Sequence, residues 1–348
     1  MSATLSTAVS TNASSPNPPT HHEQERAIKM AIREAERRVR DRFPMLKHQT
    51  ALGMASLAVA YVTILGISTL YCLGYVPGWV CVVINGMAIS ILREIEHDII
   101  HNLYLKGRTG LQNVLLLAIW PLMGNSMNPV YRRIAHLNHH RTSGHEEDFE
   151  ERLIGNGVPF GWLRLLTLLD PGTALLVRLP EFRKIPGFTL RGFMKSVAPL
   201  VPLFNITWYS VLACNAANGL GHWLGAGYVE SALFQQVLAV LNTAAVVWVL
   251  PNLARQISLQ ILSSNMHYFG DVNDTMEETQ VLNHWIFWPL QLFTFNFGST
   301  HTIHHFAVNQ PYYLRQMVAS AAHAAMRENG VRFNDLGTFR RGNRYQSA

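Results

Sequence analysis

The sequence predicts an all-α integral membrane protein: four transmembrane helices, with the rest of the helical chain on the cytosolic side. Three observations predict it. Charged residues make up only 14% of the 348 residues, against about 25% in soluble domains. Apolar windows at 51–73, 77–92, 197–217 and 232–250 approach or reach the roughly 20 residues that cross a bilayer core. Lysine and arginine number eight in residues 1–50, thirteen from Arg93 to Lys195 and seven from Arg255 onward, with none in the connections at 74–78 and 218–230. By the positive-inside rule both termini are cytoplasmic, in an inner membrane of the bacterial kind.

Each element follows in order. Residues 1–21, rich in Ser, Thr, Asn and Pro without a basic start, read as a disordered tail and not a cleaved signal. Residues 22–49 alternate acids and bases at helical spacing, as in a cytosolic amphipathic helix on the membrane surface. Spans at about 51–73 and 77–96 form a hairpin, and the second continues as a cytosolic helix. The long connection at 106–196 contains GWLRLLTLLDPGTALLVRLP, too interrupted to cross and suited to the headgroup region. Spans at 197–217 and 232–252 follow. Residues 281–297, broken by Pro289, wedge at the interface, and 311–348 form a cytosolic C-terminal tail. Residues 50–310 are thus the expected catalytic domain.

Nine of the sixteen histidines fall in four clusters outside the apolar windows: His97 and His101; His136, His139 and His140; His267; and His301, His304 and His305. Spacings of three and four put imidazoles on one helix face. Nine nitrogens exceed what one metal takes, so two ions are expected. Imidazole suits zinc, copper, iron and nickel. Open positions and many neutral ligands suit iron that cycles with dioxygen, whereas zinc sites use three or four ligands.

Metal-bound histidines hand their second N–H to a carboxylate or carbonyl, which makes Glu94, Glu96, Asp98 and Asp271 candidates to stand behind them. Asn265 is a candidate for holding a water at an open position. A rival reading takes Glu94 as a direct ligand, because Glu94 and His97 form one Glu-x-x-His pair; no second pair stands near the other clusters. Arg93, Arg132 and Arg255 flank the clusters and are candidate anchors for a substrate carboxylate or, equally, for lipid headgroups. His145 and His284 lie close enough to the clusters to be considered; His21, His22, His48, His222 and His323 read as bystanders.

The three clusters 97–101, 136–140 and 301–305 match H-x(3,4)-H, H-x(2,3)-H-H and [HQ]-x(2,3)-H-H, and His267 follows Asn265 closely. As a set they resemble the membrane fatty acid desaturase superfamily over roughly residues 50–310. The resemblance implies a four-helix membrane stem under a cytosolic cap, two non-haem irons, O2 as co-substrate and a fatty acid or fatty acyl thioester as substrate. A hydroxylase and sterol oxidase superfamily with similar boxes ranks second, because its first two boxes usually stand closer than His101 and His136.

Hydrogen abstraction from an acyl chain can end as a double bond, as an alcohol, or, beta to a free carboxylate, as a terminal alkene with loss of CO2. Some bacterial relatives of this pattern take the last route. Desaturation ranks first and decarboxylation second. A metal transporter would place ligands within the spans, and a zinc hydrolase needs few ligands and a base. No haem, cytochrome b5 or dinucleotide motif is present, so a ferredoxin- or cytochrome-type donor must supply electrons. The basic balance of +6 fits headgroups and an acidic redox partner, and no nucleic-acid motif accompanies it.

Overall fold

The computed structural model describes residues 19–155, 157–184 and 187–346. The disordered tail expected at 1–21 lies outside them except for its last three residues. No strand occurs among the described residues, and two isolated β-bridges are the nearest approach to one. Helix α1 (His21–Arg42) opens with a capping box, in which Thr20 and Glu23 satisfy each other's backbone N–H. Its apolar stripe of Ile28, Ile32 and Ala35 is fully covered by the C-terminal part of the chain. The stripe expected to rest on a membrane surface is therefore spent on protein packing.

Helices α2 (Gln49–Cys72) and α3 (Gly78–Ile100) form the expected hairpin. They meet through Leu57, Ala60 and Ile64 on one side and Ala88, Ile89, Leu92 and Ile95 on the other. Gly53 leaves room at this contact for the ring of Tyr104; a Cβ there would stand 2.6 Å from it. The short apolar α4 (Thr109–Ile119) closes the same cluster with Leu116 and Ile119. Next comes α5 (Pro129–Thr142), capped by Asn128 and opened by Pro129, which fits the first helical turn.

The long connection continues with α6 (Phe149–Leu153), α7 (Trp162–Leu169), α8 (Pro171–Phe182) and α9 (Leu190–Val197), of which α7 and α8 hold the interrupted stretch. Phe160, Trp162 and Leu176 are exposed on it, as a headgroup-level segment requires. Helix α10 (Leu200–Leu224) runs further than the expected 197–217. Asn215, Asn218, Gly219 and His222 dilute its apolar count without breaking it, and Gly225 ends it in the left-handed region at φ 66°.

The last span is one helical run, Ala232–Met266, not 232–252. It consists of α11 (Ala232–Ala244), a π-helical turn at Ala245–Val249 and α12 (Leu250–Met266). At 1.5 Å per residue the run is about 50 Å long, well beyond a hydrocarbon core of about 30 Å. Its far end therefore reaches the histidines. In all, four helical segments are long and apolar enough to cross a membrane. They expose Val59, Val62, Leu65, Ile206, Leu233 and Val240 outward, as a lipid solvent demands.

The chain closes with α13 (Thr275–Glu278), α14 (Trp288–Leu292), α15 (Phe297–Phe306) and α16 (Tyr312–Glu328). Ile303 and Phe306 of α15 and Val318, Ala322 and Met326 of α16 form the core that receives α1. Each fully buried Ile there contributes about 1.5–3 kcal/mol. Residues 311–348, read from sequence as a tail, include a packed helix that enters the interior: the Arg315 guanidinium is 2% exposed.

Candidate metal centre

Four elements bring the nine clustered histidines together. The end of α3 supplies His97 and His101, α5 supplies His136, His139 and His140, the residue after α12 is His267, and α15 supplies His301, His304 and His305. They form two groups. His97, His101, His136, His140 and His304 make the first, and His139, His267, His301 and His305 the second; within each, the ligand atoms lie within 4.8 Å of one another. Helix geometry explains the division. Residues four apart are turned by about 40°, while adjacent residues are turned by about 100°. His136 and His140 thus face one group, and His139 faces the other. His301 and His305 face together in the same way, and His304 turns to the first group.

The ring nitrogens show what the two groups could hold. His136 Nδ1 donates to Glu150 at 2.7 Å, His139 Nδ1 to Asp148 at 2.6 Å, and His305 Nδ1 to Glu278 at 2.7 Å. His267 Nδ1 donates to the Ser263 carbonyl at 2.8 Å. An Nδ1 proton leaves Nε2 as a bare acceptor. Yet Nε2 of His101 lies 3.0 Å from that of His136 and 3.1 Å from that of His304, which is 3.0 Å from Nε2 of His140. Lone pairs that converge so closely need a cation. His97 and His267 add buried Nε2 atoms with no partner at all. The donor set fits metal ions, one to each group.

Electrostatics agrees for the first group. Burial, helped by the facing imidazole of His136, pushes His101 down to about 2, and burial holds His136 at about 4 despite Glu150. His140 is pushed far below its ordinary range by burial and by its histidine neighbours. These rings stay neutral, the form that ligates metal. His139 differs. Burial opposes its protonation, but Asp148, Glu151 and Glu150 outweigh it and raise the ring to about 10. Such an electron-rich imidazole is a strong donor once a metal takes the place of its Nε2 proton.

Most of the carboxylates behind the histidines are not those expected from sequence; of the expected ones, Asp98 stands beside its histidine, with Oδ1 3.8 Å from His97 Nδ1. Glu94 binds Arg315 at 2.6 Å, Glu96 binds Arg93 at 2.6 Å and Arg132 at 3.1 Å, and Asp98 accepts from Tyr104, the Tyr312 N–H and Arg315. Guanidinium groups claim these acids by charge-assisted bonds, and Glu94 belongs to neither histidine group. The side-chain oxygen of Asn265, expected to hold a water, accepts from Thr338. Asp271 accepts from the backbone N–H of Tyr345 at 2.7 Å and Gln346 at 2.8 Å. The places fall instead to Asp148, Glu150, Glu278 and Ser263. His145 and His284 are exposed and stand outside both groups.

Arg93, Arg132 and Arg255 line a cavity of about 160 Å³ with Phe182, Phe193 and Val201. A cavity of this size, about 150 Å³ in the known case, holds a benzene ring. A smaller one of about 60 Å³ touches His97, His136, His139, His267 and His301. The two share Arg93, Arg132, Glu150, Ile154 and Leu259 as walls. Arg255 is 1% exposed. Its Nη2 reaches Ser126 and Gln256, while Nε and Nη1 have no partner, and no carboxylate of the described residues pairs with it. Over residues 73–337 the sequence matches the family model for fatty acid desaturase. No curated protein matches the chain.

Proposed function

Because the chain belongs to the fatty acid desaturase family, we propose that it is a membrane oxidoreductase that abstracts hydrogen from a fatty acyl chain with O2 and gives a desaturated product. The observation that carries the reading is the pair of buried histidine groups, nine imidazoles whose free nitrogens converge. His97, His101, His136, His140 and His304 would hold one iron, and His139, His267, His301 and His305 the other. Bound iron supplies the reductive use of O2 that attacks an unactivated methylene. The protein supplies the rest: Glu150, Asp148, Glu278 and the Ser263 carbonyl orient the rings, and Ile154 and Leu259 wall both the histidine cavity and the arginine cavity. Positive-inside asymmetry supports a cytoplasmic site and cytoplasmic termini, within reach of a ferredoxin- or cytochrome-type donor.

A second reading is favoured by one observation, Arg255 without a carboxylate partner among the described residues, in the cavity that adjoins the histidines. A buried cation calls for an anion. Three guanidinium groups surround two carboxylates, Glu96 and Glu150, so one positive charge is left for a substrate carboxylate. A free fatty acid held there presents its beta carbon toward the histidines. Loss of a beta hydrogen with CO2 then gives a terminal alkene; the substrate yields two electrons and the external donor two more, which reduce O2 to water.

Metal analysis and product analysis test both. Purified protein should carry about two irons per chain, the count that nine imidazoles imply; zinc alone would overturn either reading. Incubation with a free medium-chain acid, reduced donor and O2 separates them. An unsaturated acid of unchanged length supports desaturation, a terminal alkene one carbon shorter supports decarboxylation, and an alcohol displaces both.

A further inference from the structure

We propose that the C-terminal segment from Thr338 to Gln346 is a positioning element for His267, with Asn343 at its centre. The segment lies beyond the residues 73–337 that match the family. The inference rests on the reading of His267 as a metal ligand.

His267, like His101, follows the end of its helix. It has left helical geometry at φ −89° and ψ 128°; its N–H still donates to the Ser263 carbonyl at 3.2 Å, but the α12 ladder does not take its carbonyl. The C-terminal segment does. Asn343 is fully buried, and its side-chain N–H groups donate to the carbonyls of His267, at 2.9 Å, and Ser264. Its own carbonyl accepts from the Phe269 N–H at 2.8 Å. Its side-chain oxygen accepts from Arg164 at 2.6 Å, and Arg164, also fully buried, donates to the Ser264 carbonyl at 3.0 Å. Thr338 holds Asn265, and Asp271 takes the N–H groups of Tyr345 and Gln346. Residues 264, 265, 267, 269 and 271 are thus gripped on both sides of the ligand by one short stretch of chain.

The backbone of Asn343 allows a clean test. It sits at φ 66°, a region glycine enters freely. Asn343→Gly therefore removes the amide without backbone strain. Asn343→Asp removes both donors to 264 and 267 and sets a carboxylate oxygen against their carbonyls, while it keeps the acceptor for Arg164. Both variants should weaken retention of one of the two irons by about 10–100-fold, the range for groups that orient a metal ligand. The readout is iron per chain after equilibration with a chelator, alongside the melting temperature of metal-free protein. His267→Ala should show the same loss, and Asn343→Gly/His267→Ala should lose no more than His267→Ala alone. Iron retained at the wild-type level in Asn343→Asp would overturn the inference, as would an additive double variant. If Asn343→Gly does not fold, Asn343→Asp decides. Wild-type protein that holds iron in the first group alone would overturn the role of His267 itself, and the inference with it.

Discussion

Glu150 holds His136 Nδ1 with one carboxylate oxygen, at 2.7 Å, and Arg132 with the other, at 3.3 Å. One side chain thus joins the histidine centre to the arginine cavity. Glu150→Gln keeps the shape and removes the charge. Metal affinity should fall by about 10–100-fold, and binding of a free fatty acid should change in the same variant, because Arg132 loses a partner. Chelator competition and ligand titration check this. A variant with unchanged metal affinity would remove Glu150 from the site.

Arg255 should show function and stability at odds. A buried charge without a partner is costly, and replacing it by an apolar residue of similar reach often stabilises. Arg255→Met is expected to melt at a higher temperature than wild type. A charge-assisted hydrogen bond contributes about 1.5–3 kcal/mol, so KM for a free acid should rise roughly 10- to 150-fold. Turnover of an acyl ester should change little. Equal losses on both substrates would show that Arg255 does not anchor a carboxylate.

Arg315 should behave in the opposite way. It is buried between Glu94, at 2.6 Å, and Asp98, at 3.3 Å. Arg315→Met leaves two buried acids facing each other and should cost about 3–5 kcal/mol of stability. Asp98→Asn added to Arg315→Met should restore part of it. Thermal unfolding of the two variants checks both statements; a double variant less stable than the single would refute the pairing.

Acid should loosen the C-terminal segment through Asp335. Burial raises its pKa, but bonds from Arg341 and Tyr268 outweigh burial and hold it below its ordinary value of 3.8. A carboxyl with a depressed folded pKa stabilises the fold above its unfolded pKa, and that contribution is lost as pH falls through the folded value. Wild type should therefore be more stable than Asp335→Asn at neutral pH, with the gap closing below pH 4 or so. Melting temperatures of the pair across pH measure it. A gap that widens in acid would contradict the assignment.

The four spans and the nine histidines were legible because their signals are local: runs of apolar residues, and imidazoles three or four apart on one helix. What supports them was less legible. Glu150 and Asp148 stand fourteen and nine residues from the histidines they hold, in an acidic run conspicuous in sequence but without a partner until α5 and α6 fold back on each other. Glu278 reaches His305 from a separate four-residue helix, which no spacing rule announces. Glu94 and Glu96 misled because they neighbour His97 in sequence, and Asp98, although 3.8 Å from His97 Nδ1, accepts its hydrogen bonds elsewhere. Burial placed them against Arg315, Arg93 and Arg132, which come from α16, α3 and α5.

His304 lies 3.1 Å from His101 across 203 residues of chain. At a synthesis rate of about 5–20 residues per second, roughly 10–40 s separate the emergence of the two. By then α2 and α3 are already made, while neither histidine group is complete until α15 has left the ribosome. Synthesis of the first two apolar helices thus comes first in the life of the molecule, and completion of the histidine groups last. A chain that stops before His304 is a membrane-embedded stem with a part-built centre, unable to assemble the group His101 belongs to.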